Sequence, residues 1–180
     1  MNHIFMIEGP SGVGKTTLVN ELAKRYGLKV VQSYTTRPKR TPDETGHTFV
    51  SDDEFDKLEN LVAYTEFAGH RYGVPQSMIE ENDLYVIDPA GVRFFRSHYT
   101  GSKTPIVIYL HKNEKDLMKQ MQQRGDSDYE IAKRLSHDVI AFFGASAEAD
   151  YFLELKGSVD KCVKSIKAVI DEVCSKEVNS

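Results

Sequence analysis

Apolar runs of strand length alternate along the chain with amphipathic stretches of helix length. Three apolar runs lack the polar alternation of a half-exposed strand and predict buried strands: Ile4–Ile7, Leu84–Ile87 and Pro105–Leu110. Apolar residues at helical spacing predict four helices: Lys15–Tyr26, Asn113–Arg124, Tyr129–Phe143 and Val159–Cys174. Weaker patterns predict strands at Lys29–Gln32, Phe152–Leu155 and within Leu61–Tyr72, an irregular loop over Thr35–Thr48, and short helices after Ser51 and from Pro75.

This order of elements predicts the fold class. Strands that are apolar throughout and separated by helices indicate a mainly parallel sheet that is covered on both faces. We therefore expect one α/β domain with three layers, a parallel core sheet flanked by helices. Ligands of such sheets bind beyond the carboxyl ends of the strands. Gly9 and Asp88 each follow a predicted strand directly, so we expect a binding site near both.

Composition narrows the classes of partner. The chain has 180 residues, of which 40% are hydrophobic and 28% charged, as in soluble globular proteins. Its net charge of −4 provides no basic surface of the kind that holds nucleic acid non-specifically, so we expect no nucleic-acid partner. No apolar run approaches membrane-spanning length and no signal peptide is recognisable, so we expect no membrane partner and a cytoplasmic location.

The strongest motif lies near the N-terminus. The segment GPSGVGKT, Gly9 to Thr16, fits G-x-x-x-x-G-K-[ST] and stands between a predicted strand and a predicted helix. Glycines allow the backbone N–H groups to turn inward around phosphates, while the lysine reaches the outer phosphates and the threonine hydroxyl binds Mg²⁺. The motif predicts a nucleoside triphosphate site formed by Gly9, Ser11, Gly12, Val13, Gly14, Lys15, Thr16 and Thr17.

Further segments carry a family resemblance. They are SYTTRPKR (Ser33 to Arg40), FVS (Phe49 to Ser51) and FAGHRYG (Phe67 to Gly73), followed by DPAG (Asp88 to Gly91) and the Arg124-Gly125 pair. Together with GPSGVGKTT, their order and spacing resemble guanylate kinase over almost the whole chain. The resemblance implies a P-loop nucleoside monophosphate kinase fold. It comprises a core (about 1–32, 83–124 and 145–180), a monophosphate-binding region (about 33–82) and a lid (about 124–144).

The resemblance also implies a reaction. Such an enzyme transfers the γ-phosphate of MgATP to GMP, dGMP or a related nucleoside monophosphate, and the resemblance is compatible with a monomer or a homodimer. Two arginines on one loop suit bidentate capture of a phosphate. The residues expected to hold the acceptor phosphate are Ser33, Arg37, Arg40 and Tyr72. Lys15, Arg124 and Arg134 are the expected catalytic residues, the two arginines closing over the transferred group.

Asp88 has two interpretations. At the end of a buried strand, its carboxylate could hold a group on the acceptor side, as the resemblance favours, or orient a magnesium-bound water. As the residue before Pro89, it could instead cap the following helix, and this role is compatible with function.

The chain departs from the family where the base should bind. Ala63 stands where the guanine-binding glutamate is expected, and Val74 replaces a small hydroxyl residue. His47 takes the place of a phosphate-binding tyrosine, and Leu155 that of a polar contact to adenine. His47 could donate to the acceptor phosphate instead of the tyrosine, or it could be a solvated loop residue. Loss of a buried polar contact weakens discrimination, so we expect weaker guanine selectivity unless another group replaces it. Glu66 is the candidate substitute if its strand is shifted or bulged; otherwise it is an exposed strand residue.

Two other functions are compatible with parts of the pattern. One is a sugar-phosphate kinase such as a ribose bisphosphate phosphokinase, although such relatives lack the full TTRPxR arrangement. The other is a non-catalytic guanylate-kinase-like binding module. Such modules lose the glycine-rich loop, which is intact here through Thr17.

Overall fold

A computed structural model of the protein describes residues 1–39, 41–44, 46–67 and 69–178. In chain order, the elements are β1 (His3–Glu8), α1 (Lys15–Tyr26), β2 (Ser33–Thr35), β3 (His47–Phe49), α2 (Asp52–Phe55), β4 (Leu61–Phe67), β5 (His70–Pro75), α3 (Gln76–Glu81), β6 (Leu84–Val86), α4 (Pro89–His98), β7 (Thr104–His111), α5 (Glu114–Gln123), α6 (Asp128–Ala141), α7 (Ala145–Glu148), β8 (Tyr151–Glu154) and α8 (Val159–Val178). Of the helices in these ranges, none is both long and apolar enough to cross a membrane.

The core sheet has four strands in the order β6-β1-β7-β8, and every pairing is parallel. All six residues of β1 are buried. Phe5 and Ile7 pack into a cluster with α1, α5 and α8, whereas Ile4 and Met6 pack into a second cluster with α3 and α4. Because each face of the sheet is covered, the strands need no alternation of polar residues. The predicted three-layer α/β fold is therefore confirmed.

A second sheet of four strands follows the order β3-β2-β5-β4. Its β2–β3 pair is parallel, while β5 runs antiparallel to both β2 and β4. The register of β4 shifts between Leu61 and Ala63. Val62, Ala63 and Val74 contribute to the second core cluster, so this sheet packs on the α4 side of the core sheet. Ser33 of β2 and Tyr72 of β5 line a cavity with Val86 and Asp88, so this sheet lies beside the carboxyl end of β6.

Three local predictions are wrong. Lys29–Gln32 is not a strand, because only Val30 forms a bridge, to Leu84, and the pairing strand begins at Ser33. The loop predicted for Thr35–Thr48 starts and ends in strands, since Thr35 pairs with Phe49 across β2 and β3. Pro75 closes β5 and caps α3 rather than starting it. Prolines and polar residues interrupt the apolar pattern in this region, so the short strands could not be recognised from it. Their pairing is set by the tertiary fold.

The helix start at Ser51 is confirmed. Its hydroxyl accepts a hydrogen bond from the Glu54 amide at 3.2 Å, and the Glu54 carboxylate accepts one from the Ser51 amide at 2.8 Å. This reciprocal capping box satisfies two donors that a helix end leaves without partners. A second capping box joins Ser127 and Glu130 at the start of α6. It fixes where the helix that carries Arg134 begins.

Candidate active site

The glycine-rich loop between β1 and α1 lies tightly against its neighbours. Gly9 has a φ of +150°, and a Cβ there would lie 2.5 Å from the carbonyl oxygen of Leu110 on β7. A Cβ on Gly12, at φ +79°, would lie 2.9 Å from the carbonyl oxygen of Leu117 on α5. Both distances exclude a side chain, so the sequence must place glycine at these positions for the loop to follow this path.

A cavity of about 480 Å³, which we call the glycine-loop cavity, opens beside this loop. Its lining comprises Ser11, Gly12, Gly14, Lys15, Thr16, Thr17, Gln120, Gln123, Arg124 and Arg134. The structure thus brings both predicted lid arginines to the predicted triphosphate site. The guanidinium of Arg124 forms an ion pair with Asp126, and Arg134 lies on the exposed face of α6. By contrast, the side chain of Val13 is buried in the core.

Lys15 begins α1 and points back to the loop. Its ammonium donates to the carbonyl oxygens of Gly9 at 2.5 Å and Pro10 at 3.2 Å. Burial lowers the pKa of Lys15 from 10.5 to about 8, and the carboxylates of Asp138 and Asp88 oppose this effect. A buried ammonium with carbonyl partners is attracted strongly to any anion that enters the site.

Asp138 is a residue that our sequence analysis missed. Its Oδ2 accepts a hydrogen bond from the Ser11 backbone N–H at 2.6 Å, joining α6 to the glycine-rich loop across 127 residues. The signal was present in the sequence, since Ile131, Leu135 and Asp138 follow helical spacing on one face. Ile131 is buried and Leu135 packs against the core, so a carboxylate on this face calls for a specific partner.

A second group of polar residues lies on the other sheet. Ser33 Oγ and His47 Nδ1 are 2.8 Å apart, and the His47 and Tyr72 rings meet edge to face at 5.7 Å. Arg37 forms a bidentate pair with Glu44 through bonds of 2.7 and 3.2 Å. The hydrogen bonds to Glu44 raise the pKa of the Arg37 guanidinium above its usual range, and the Tyr72 hydroxyl contributes in the same direction. Four predicted acceptor residues therefore lie together.

The remaining member of that predicted group, Arg40, lies outside the described residues. The others surround a cavity of about 470 Å³, the second-sheet cavity. Its walls include Thr16 and Asn20 of α1 as well as Ser33, Arg37, His47 and Tyr72. Arg37 of the TTRP segment thus faces the helix that follows the glycine-rich loop.

A third cavity, of about 270 Å³, lies between the glycine-rich loop and the polar residues of the second sheet, and we call it the central cavity. Lys15 and Asp88 from the core line it together with Ser33, His47 and Tyr72 from the second sheet. Asp88 Oδ1 accepts a hydrogen bond from the Gly91 N–H at 2.6 Å and caps α4. Both interpretations of Asp88 are therefore compatible with the structure, since a capping carboxylate also lines the cavity.

The expectation for Glu66 as a replacement carboxylate is not supported. Ala63, Tyr64 and Thr65 of β4 line the central cavity, but Glu66 does not. Glu66 is exposed and accepts a hydrogen bond from the Tyr64 hydroxyl. The irregularity of β4 lies between Leu61 and Ala63, before Glu66, and pairing from Ala63 to the end of the strand is regular. The glutamate therefore stays on the solvent side.

Three other departures from the family pattern are apolar residues that the structure buries: Ala63, Val74 and Leu155. Val74 is fully buried and Ala63 nearly so. Leu155 belongs to the core cluster with α8 and its side chain is 4% exposed. None of these three positions offers a polar side chain to a nucleotide base.

Glu8 is a second residue that sequence analysis missed. It is the last residue of β1, it is only 2% exposed, and its Oε1 has no hydrogen-bond partner among the residues that the structure describes. Burial, followed by the neighbouring charges of Asp88 and Glu148, raises the pKa of Glu8 from 4.5 to about 7. Glu8 directly precedes Gly9, and its carboxyl lies within electrostatic range of Lys15.

The comparison with known families agrees with this geometry. The model of the family described as guanylate kinase matches residues 1–173. The chain belongs to the guanylate kinase family. It is a nucleoside monophosphate kinase, a nucleotide-binding transferase.

Two similar proteins and a solved structure agree with this family assignment. A guanylate kinase from Thermobifida fusca is 32% identical over 177 residues, covering 92% of this chain and 89% of the relative. One from Alkalilimnicola ehrlichii is 28% identical over 178 residues, covering 92% and 86%. The fold is similar to a crystal structure of guanylate kinase from Anaplasma phagocytophilum, with a TM-score of 0.65 at 20% identity, covering 95% of this chain and 85% of that one.

Glu8 should make stability depend on pH. Because its pKa is about 7 in the folded protein and near 4.5 when unfolded, the folded state retains a proton that the unfolded state has lost between these values. Stability therefore falls as the pH rises through this range. Glu8→Gln cannot ionise, so its free energy of unfolding should exceed that of the wild type by roughly 1–3 kcal/mol at about pH 8, with the gain disappearing at about pH 4.

Urea denaturation at both pH values measures this difference. Glu59→Gln, at an exposed loop position, is the matched control and should show no comparable change with pH. A Glu8→Gln variant whose difference from the wild type is the same at both pH values would contradict the burial of an ionisable group here.

Proposed function

We propose that this protein transfers the γ-phosphate of MgATP to GMP, dGMP or a related nucleoside monophosphate, giving two nucleoside diphosphates. The observation that carries the proposal is the lining of the central cavity. Lys15, from the glycine-rich loop, shares that cavity with Ser33, His47 and Tyr72 of the second sheet. A donor phosphate near Lys15 and an acceptor phosphate near the second sheet would thus meet in one enclosed space.

The donor side suits a magnesium-bound triphosphate. Gly9 and Gly12 leave no room for side chains, and the loop they form lines a cavity beside Lys15. Thr16 is exposed in the first turn of α1, where its hydroxyl would hold Mg²⁺. When bound, Mg²⁺ neutralises charge on the phosphates. The remaining loop amides and the positive end of the α1 dipole add to the attraction for anions.

The acceptor side suits a phosphate dianion. The Arg37 guanidinium already binds a carboxylate, Glu44, in the two-point geometry that a phosphate also accepts. Tyr72 and Ser33 supply hydroxyl groups around the same space, and His47 can add a ring N–H. We propose that these side chains hold the acceptor phosphate, with Asp88 binding on the acceptor side of the central cavity.

The chemistry then requires positioning and charge rather than a strong base. The attacking oxygen of the acceptor phosphate is already anionic at neutral pH. Lys15, Arg124 and Arg134 would offset the charge that spreads over the transferred group, which is the main protein contribution to phosphoryl transfer. Arg124 and Arg134 line the glycine-loop cavity from α5 and α6, so a small movement of these helices would bring the guanidiniums onto the phosphates.

The assay that tests the proposal measures diphosphate formation from MgATP with a panel of ribo- and deoxyribonucleoside monophosphates and one phosphorylated sugar. Because Ala63 and Val74 provide no polar group and Glu66 lies outside the cavity, guanine should be preferred over adenine by less than about 100-fold in kcat/KM. A preference near 10⁴-fold would indicate that backbone or other groups recognise the base. Turnover of the sugar phosphate alone would overturn the proposal.

Lys15→Ala should lower kcat by at least about 100-fold, because it removes the cation nearest to the developing charge. The same coupled assay with the preferred acceptor measures it. Lys24→Ala removes an equal charge from the exposed last turn of the same helix and should retain activity. An active Lys15→Ala enzyme would contradict the assignment of the donor site.

Arg37→Gln should raise KM for the monophosphate by about 10- to 100-fold and leave binding of MgATP unchanged, since a charge-assisted bidentate contact is lost only on the acceptor side. Initial rates at varied acceptor, with calorimetry for MgATP, separate the two effects. Lys39→Gln, an exposed cation of the same loop, is the control. Equal losses of both affinities would mean that Arg37 supports the fold rather than the acceptor.

A further inference from the structure

We propose that the Asp138 carboxylate competes with the donor's terminal phosphate for the glycine-rich loop, so that α6 is held on the loop in the nucleotide-free protein and released when the donor binds. The inference rests on the proposed function for the identity of the donor. It adds an internal competitor to that site, supplied by the helix that also carries Arg134.

The contact itself is strong and specific. Asp138 Oδ2 lies 2.6 Å from the Ser11 nitrogen, a distance typical of a charge-assisted hydrogen bond. Asp138 is 8% exposed, so its charge is largely removed from water and depends on its protein partners. Ser11 also lines the glycine-loop cavity. An anion from the chain itself therefore already binds an amide of the loop that is built to bind anions.

The charges around the contact oppose simultaneous binding of the Asp138 carboxylate and a donor phosphate at the glycine-rich loop. Asp138 lies within electrostatic range of Lys15, whose ammonium rests on the Gly9 and Pro10 carbonyl oxygens. A terminal phosphate drawn to Lys15 would place its negative charge beside the carboxylate. Two negative charges that lie side by side in a partly buried site repel each other strongly. Binding of the phosphates is therefore favoured when the carboxylate leaves the loop.

The packing of α6 allows this release. Towards its N-terminus, Ile131 is buried in the core cluster, but beyond Asp138 the helix presents Val139 and Ile140 at 73% and 81% exposure. Phe143, just after the helix, is 86% exposed. Beyond Asp138, the last turn of α6 thus buries little apolar surface, and displacing that turn would cost little burial energy.

Release of this contact would also move a functional side chain. Arg134 lies four residues before Asp138, about one helical turn away, on the part of α6 that lines the glycine-loop cavity. Separation of Asp138 from Ser11 would let Arg134 shift relative to the phosphates. Donor binding and placement of the lid arginine would then be coupled through a single helix.

Binding of inorganic tripolyphosphate with Mg²⁺, followed by calorimetry, tests the competition without requiring catalysis. Asp138→Asn keeps the shape of the side chain and removes its charge, so its dissociation constant should be at least about ten-fold lower than that of the wild type. Asp128→Asn removes the same charge from an exposed position ten residues earlier on α6, about 15 Å away along the helix, and should bind like the wild type.

Asp138→Ser, which also shortens the side chain, is the second variant and should bind tripolyphosphate as tightly as Asp138→Asn or more tightly. Circular dichroism establishes that each variant is folded. Unchanged or weaker binding by both variants overturns the proposal, as does failure of both to fold, because the contact would then be purely structural. Measurable binding by the variants alone supports it.

The nucleotide assay distinguishes this inference from the proposed function. If the Asp138 variants bind tripolyphosphate more tightly but no protein transfers phosphate to a nucleoside monophosphate, the competition holds and the proposed function fails. If the wild type is active and the Asp138 variants show no gain in tripolyphosphate affinity, the function stands and the competition is wrong.

Discussion

The contact between Gly9 and the Leu110 carbonyl oxygen is the constraint on which the site depends. The chain leaves β1 so close to β7 that no side chain fits at Gly9, and a few residues later Gly12 meets α5 in the same way. These two close approaches fix the path of the loop against the rigid sheet. Because β1 is the most buried strand of the core, the loop inherits a fixed position relative to Asp88 at the end of β6. Positioning of this kind is what phosphoryl transfer demands most from a protein.

Burial of charged side chains at this site has an energetic cost, which appears as shifted pKa values at more than one residue. Burial alone lowers the pKa of Lys15, and the carboxylates of Asp138, Asp88 and Glu8 act in the opposite direction. Glu8 bears part of this cost, since its own pKa is raised by burial and by Asp88. A buried carboxyl with a raised pKa directly before the glycine-rich loop is a local destabilisation of the kind that binding sites retain.

Much of this arrangement could be predicted from the sequence because it depends on local patterns. The apolar strands, the glycine-rich loop and the Ser51 cap each need only neighbouring residues, and the structure contains all three. Long-range pairing could not be predicted. The strand at His47–Phe49 exists because it pairs with Ser33–Thr35, and its polar residues gave no periodic signal.

Site residues could likewise be predicted where the signal is local, but not where it depends on contacts between distant parts of the chain. Most of the predicted phosphate-binding side chains that are described lie around three adjoining cavities. Glu66 is exposed and does not line the central cavity, which is the alternative that the sequence analysis left open. Asp138 was missed because its partner is 127 residues away, although its place on an apolar helix face was visible. Glu8 was missed because it directly follows the apolar run Ile4–Ile7, on which the strand prediction rested.

Each anion site contains a carboxylate from the chain itself, Glu44 on the Arg37 guanidinium and Asp138 on the Ser11 amide. Without these carboxylates, the Ser11 N–H would lose its hydrogen bond and the Arg37 guanidinium would keep its bond to the Pro38 carbonyl oxygen but lose its charged partner. Under the proposed function, an incoming phosphate would compete with one of these internal carboxylates. That competition would lower affinity and would link binding to rearrangement, because a phosphate that displaces a carboxylate would also free the segment carrying it. On the acceptor side that segment is the loop after β2, and on the donor side it is α6, so the two nucleotides would act on opposite walls of the central cavity.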